Sequence, residues 1–160
     1  MRYGKKGSKY EGYPDEKQAL ARFKNEYQCY LDKDFTLTYY LLTEALLMAD
    51  SRVKNMMIAT WGPEEREYKD YETGETKKSF NYIFYPIFYD MDTMLGLNNY
   101  GARAFKYYAE DTDPDVFNGE EILWRFVRDA LEEEVQAHYL DMEDRGKFTA
   151  GNVLDFFSDD

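Results

Sequence analysis

A chain of 160 residues and 19.1 kDa has room for one hydrophobic core, and 44% hydrophobic residues are enough to fill it, which excludes a wholly disordered chain. The balance of 20 Lys+Arg against 32 Asp+Glu gives a net charge of −12, which repels phosphate backbones and argues against a general nucleic-acid binder. No run approaches the roughly 18 apolar residues of a spanning helix, so no membrane role is expected.

The charge is uneven. Residues 1–14 carry four basic residues and three glycines with no apolar period, and read as a basic flexible tail; residues 15–160 read as one domain. The basic start has no apolar stretch after it, so no signal peptide is expected. The lone Cys29 excludes an internal disulfide and reads as a small core residue, and the single His138 excludes a multi-histidine metal site. Aromatic residues reach 18%, with 16 tyrosines. Tyrosine gives contact area at low rotamer entropy, so the excess hints at work inside an assembly, although a tyrosine-rich core accounts for it equally well.

In chain order, Pro14 opens a helix with Asp15 and Glu16 in its first turn. Leu20, Phe23, Tyr27, Tyr30 and Leu31 give it an apolar face, and Lys33-Asp34 breaks it. Phe35 to Ala49 is apolar nearly all round and is expected as a central buried helix. The polar hexapeptide 50–55 follows. Met56–Trp61 and Phe80–Tyr89 read as strands paired in an antiparallel hairpin, with Gly62-Pro63 ending the first and Pro86 marking an edge or bulge in the second. The segment between them reads as a charged connector with a turn at 72–75. Loops at 90–101 and 110–119 precede a long helix from about 119 to 145. Asn118 and Glu121 form a capping-box-like start, and Gly146 is the stop. Thr149 caps a short final helix. The fold class is therefore α+β, mainly helical with a small antiparallel sheet.

Three segments are candidates for chemistry. Asp50 and Asn55 have the D-x-x-x-x-N spacing of a kinase catalytic loop, in which the Asp accepts a hydroxyl proton and the Asn holds a metal ion. On its own the six-residue match is weak, and Asp50 reads first as an ordinary helix-terminal residue. Asp90-Met91-Asp92 follows a strong strand and precedes Gly96, as a kinase metal-binding Asp does. Side chains alternate along extended backbone, so one carboxylate faces the metal, and Asp92 is the choice over Asp90. Asp90-x-Asp92-Thr93 also approaches the D-x-D-x-T of aspartyl phosphotransferases, but the Thr stands one place early. Asp111, Asp113 and Asp115 begin like a calcium loop. Val116 and Ile122 occupy the positions that need Gly and Glu, so the EF-hand pattern fails, and a looser calcium site or a solvated turn is left. Glu134 and His138 read as a surface ion pair.

The pieces Phe35-Thr-Leu-Thr-Tyr-Tyr-Leu-Leu-Thr-Glu, Met48-Ala-Asp-Ser-Arg-Val-Lys-Asn-Met-Met, Tyr89-Asp-Met-Asp-Thr-Met-Leu-Gly-Leu-Asn-Asn and Val116-Phe-Asn-Gly-Glu-Glu-Ile-Leu-Trp-Arg-Phe-Val-Arg-Asp-Ala resemble, in that order, a segment of very large virion proteins of crAss-like podoviral phages. The spacing of Asp50, Asn55, Asp90 and Asp92 is also similar to the C-terminal lobe of CotH-like spore-coat kinases. Together these resemblances imply a kinase-like lobe within a phage tail or tail-tip protein, assembled in the host cytoplasm. They imply other virion proteins or sister copies as partners; no cofactor is required, Mg²⁺ belonging to the kinase-like reading and Ca²⁺ to a third reading, a calcium-stabilised binding module, that rests on residues 111–115 alone. The chain lacks the glycine-rich phosphate loop and strand lysine of a kinase N-lobe and stops inside the match, as a fragment or a split product would. A structural role is therefore expected ahead of the alternative, a metal- and ATP-dependent phosphotransferase. Phe148, Val153, Leu154, Phe156 and Phe157 form an apolar C-terminal cluster expected at an interface, with the basic tail on acidic surface.

Overall fold

The computed structural model describes residues 15–48, 50–97, 100, 122–147, 149 and 151. The basic tail, Pro14, the Asp111–Asp113–Asp115 loop, the cap at Asn118 and the cluster Phe148, Val153, Leu154, Phe156 and Phe157 lie outside the described residues. Within them the protein is α+β. Helices α1 (Glu16–Glu26), α2 (Lys33–Ala45), α3 (Ile122–Ala130) and α4 (Glu132–Asp144) outweigh strands β1 (Met56–Ala59), β2 (Pro63–Lys69), β3 (Thr76–Tyr82) and β4 (Tyr85–Phe88).

Carboxylate caps fix where the first two helices begin. Asp15 is the N-cap of α1 rather than part of its first turn, and accepts the Gln18 amide at 2.9 Å. Asp32 does the same for α2, accepting the Phe35 amide at 3.0 Å. Lys33-Asp34, expected as a break, is therefore the first turn of α2. The actual break is a 3₁₀ turn over Tyr27–Cys29. Cys29 is buried there, and burial pushes its thiol pKa up, as suits a core residue.

Helix α2 stops four residues earlier than its apolar run suggests. The Met48 amide bonds back to the Thr43 carbonyl at 2.9 Å, and the Leu47 amide to Glu44 at 3.2 Å. This is a Schellman ending, normally built on glycine. Here the left-handed position is Leu47, with φ 49°, whose side chain is wholly buried. The helix is central, but it is not buried all round. Thr36, Leu37, Tyr39, Tyr40 and Thr43 face the core, while Phe35 is 48% exposed.

β1 and β4 pair antiparallel, from Met56 opposite Phe88 to Ala59 opposite Tyr85, close to the expected hairpin. The expected strand 80–89 is in fact two, because Ile83 and Phe84 leave the ladder. The expected connector forms β2 and β3, paired from Pro63 opposite Tyr82 to Lys69 opposite Thr76. Pro63 thus opens a strand rather than only ending one. Three residues on one side, 60–62, oppose two on the other, which shifts the register as a bulge does. Phe84 turns to the α1–α2 junction: its amide donates to the Tyr30 carbonyl at 2.8 Å, and its carbonyl accepts from Asp32 at 3.0 Å. At the hairpin tip Asp70 Oδ1 accepts from the amides of Glu72 and Thr73 and from the Thr73 hydroxyl.

The core is aromatic. Tyr39 is stacked between Phe88, at 4.4 Å, and Trp124, at 4.9 Å, and Phe23 meets Phe126 edge-on. The expected long helix is two helices, because the backbone bends at Leu131 (φ −117°). That residue is fully buried, so the bend seats its side chain in the core and leaves α4 packed on α2. Helix α4 ends at Gly146 (φ 67°), where the Gly146 and Lys147 amides bond back to Glu143 and Met142.

Candidate functional site

The β1–β4 ladder decides what the polar loops can do. Because Met56 is opposite Phe88, the residue before β1 and those after β4 emerge side by side. Asn55 Nδ2 accordingly donates to both the carbonyl and the Oδ2 of Asp90, each at 3.3 Å. Asp90 has φ 53°, so the backbone there is not extended, and the alternation that favoured Asp92 does not apply. Asn55 contacts Asp90, whereas Asp92 lies in the following turn and is exposed.

Asp50 begins a 3₁₀ turn, Asp50–Arg52, and its carbonyl accepts the amides of Val53, Lys54 and Asn55 at 2.9–3.2 Å. Its carboxylate pairs with Lys54 at 2.9 Å. Asp50 raises the Lys54 pKa most, first by that hydrogen bond, with further contributions from Asp92 and Asp90. All three candidate carboxylates thus act on one ammonium group. Among the described residues, no group of three or more His, Cys, Asp or Glu side chains is placed to hold a metal ion.

What anchors this loop lies underneath it. Arg52 is 1% exposed. Its Nε donates to Thr43 Oγ1 at 2.8 Å and a terminal nitrogen to the Tyr40 carbonyl at 2.9 Å. It pairs with Glu44 at 2.9 Å and stands 4.3 Å from the centre of the Tyr40 ring. The Tyr39 hydroxyl donates to the Ser51 carbonyl at 2.7 Å. The second loop is tied to the same place, with the Leu95 amide donating to the Leu46 carbonyl at 2.6 Å. Every non-glycine residue of positive φ among those described, Leu47, Asp90 and Leu95, belongs to these two loops or their approach. Backbone strain gathers at sites that must hold one shape.

Sequence reasoning missed Arg52 as an anchor, although an arginine beside the most apolar helix was a usable signal. It also missed a cleft of about 500 Å³ between α2, β4 and α4, whose lining includes Phe35, Thr38, Tyr39, Phe88 and His138. His138 does not form the expected pair with Glu134; its Nε2 lies 2.8 Å from Thr38 Oγ1. The bend at Leu131 swings α4 across α2 and brings the two together.

No protein-family model, no curated protein and no solved structure matches this chain.

Proposed function

We propose that this chain is a structural, interaction-forming component of a phage tail or tail tip, with its kinase-like elements serving as scaffold. The observation that carries the reading is the amount of apolar surface presented by the strands. Met57 and Ile87 are opposite each other and exposed, and the next pair on that face, Ala59 with Tyr85, is half-buried. The Tyr85 ring meets Trp61 edge-on at 4.6 Å and Phe35 at 5.1 Å. Beyond the bulge, Phe80 and Tyr82 point to one side of β3. Trp61 is 72% exposed and Phe80 71%. A lone soluble domain rarely displays this many large apolar side chains on its strands, whereas an assembly subunit does. Sedimentation of the chain at moderate salt tests the surface: self-association that Trp61→Ser and Phe80→Ser abolish is the expected result. Mass spectrometry of particles made from the encoding genome tests the virion assignment, which falls if the chain is absent from them.

The second reading, a metal- and ATP-dependent phosphotransferase of CotH-like type, is favoured by the Asn55–Asp90 contact beside Asp50. It requires Lys54 to release Asp50 before that carboxylate can accept a proton. Calorimetry with Mg²⁺ and ATP distinguishes the two readings.

A further inference from the structure

We infer that the cleft between α2, β4 and α4 is a binding site for a small organic cation with an aromatic or aliphatic body. Its volume of about 500 Å³ falls within the range of small-molecule sites, and its walls are mostly apolar: Phe35, Tyr39, Pro86, Ile87 and Phe88. Thr38 and His138 make a polar contact at one side. The sign of the ligand follows from which rim charges are already answered. Arg145 donates to the Asp141 carboxylate and, through Nε, to the Asp141 carbonyl at 3.3 Å, so it already has a partner at its own helix end. Asp34, on the rim contributed by α2, has no ion pair or hydrogen bond through its carboxylate among the described residues. The unanswered charge is therefore negative and stands beside aromatic rings. Carboxylate and ring together suit an ammonium group, by ion pairing and by cation–π attraction. The chain's net charge of −12 adds long-range attraction of the same sign. An anion would have to compete with Asp141 for the guanidinium and would meet an open carboxylate.

Titration of the chain with phenethylamine tests this, followed by the NMR signals of the His138 imidazole and the Thr38 methyl. Saturable shifts are expected at both, with weaker binding of neutral 2-phenylethanol and none of phenylacetate. Asp34→Asn is expected to lower the affinity roughly three- to fivefold, the worth of an exposed ion pair. Its thermal midpoint checks that it folds. Ile87→Trp, which fills the cleft from an exposed position, is expected to abolish binding. Equal or tighter binding of phenylacetate overturns the proposal. So does phenethylamine binding that is unaltered in both variants. Binding of a lysine peptide with none of phenethylamine also overturns it, and makes the cleft a protein interface.

Discussion

Tyr39 grips the carbonyl of Ser51 through its hydroxyl, beneath the acidic loops, and also lines the α2–β4–α4 cleft. The loops carry the residues with the more suggestive spacing, yet Asp90 and Asp92 face water, where charge–charge interactions are weak and screened by salt. The cleft has no motif at all, but it has walls, a hydrogen-bonded imidazole and an open carboxylate. In the loops the geometry is held from underneath, by Arg52 and the Tyr39 hydroxyl, and the exposed groups contribute little to holding it. A motif at the surface is thus only as well positioned as the buried groups that carry it.

The largest effect expected from this contrast is at Arg52. Arg52→Ala removes a buried guanidinium from the Tyr40 carbonyl, Thr43 and Glu44 and leaves a void the size of a long side chain. A loss of about 3–5 kcal/mol in urea unfolding is expected. Removing the exposed ammonium that pairs with Asp50 instead, with Lys54→Ala, should leave the unfolding midpoint nearly unchanged. Similar losses from the two variants would erase the distinction between support and surface.

Leu47 gives a sharper test, because two effects oppose each other there. Its buried side chain contributes roughly 2–5 kcal/mol relative to Ala, while its left-handed backbone costs about 1 kcal/mol that glycine would not incur. Burial dominates, so both Leu47→Ala and Leu47→Gly destabilise. Glycine should nevertheless be the milder change by about 1 kcal/mol, with the order reversed at Leu37, which lies within α2. Denaturant midpoints of the four variants decide it.

Tyr39 links the two regions, and its pH dependence is readable. Burial pushes its phenol up to about 12, above the roughly 10 of an unfolded tyrosine. The neutral form is favoured in the fold, so this stabilisation is complete below about pH 10 and is lost as pH rises from there towards 12. At pH 7, Tyr39→Phe should cost about 1 kcal/mol for the hydrogen bond to Ser51. At pH 11 the wild type alone bears the ionisation penalty, so the gap should close or slightly reverse. A gap that stays constant with pH would place the phenol in water.

The parts of the fold legible in the sequence were those with one dominant signal. The Gly146 stop and the inner strand pair stand close to where glycine and the aromatic and β-branched runs put them. The β2–β3 hairpin was not legible, because the face it half-buries is mostly polar while its large apolar residues, Phe80 and Tyr82, face outward: the half-buried positions are Glu64, Arg66, Tyr68, Lys77, Ser79 and Asn81, with contacts such as Arg66 to Glu64 and Asp32. The end of α2 was hidden because a leucine occupies the place of a glycine. At the candidate site the hairpin return that joins Asn55 to the 90–92 loop was visible. The left-handed Asp90, which exchanges Asp90 for Asp92 at that contact, was not, since nothing about an aspartate announces positive φ.

The smallest expected effect is at Asn55, and it weighs most on function. Its two contacts are 3.3 Å long and open to solvent, so Asn55→Ala should cost no more than about 0.5 kcal/mol. Stability therefore cannot mask a ligand effect, and the variant is a clean probe of the loops. If the chain is a structural subunit, Mg²⁺ with ATP leaves the thermal midpoints of the wild type and of Asn55→Ala alike unmoved, and this is the result expected. A nucleotide-dependent rise in the wild type that disappears in both Asn55→Ala and Asp50→Asn would show metal and phosphate held between the loops. In that case Lys54, which pairs with Asp50 and interacts with Asp92 and Asp90, would be the group displaced by the metal, and Lys54→Ala should bind more tightly than the wild type.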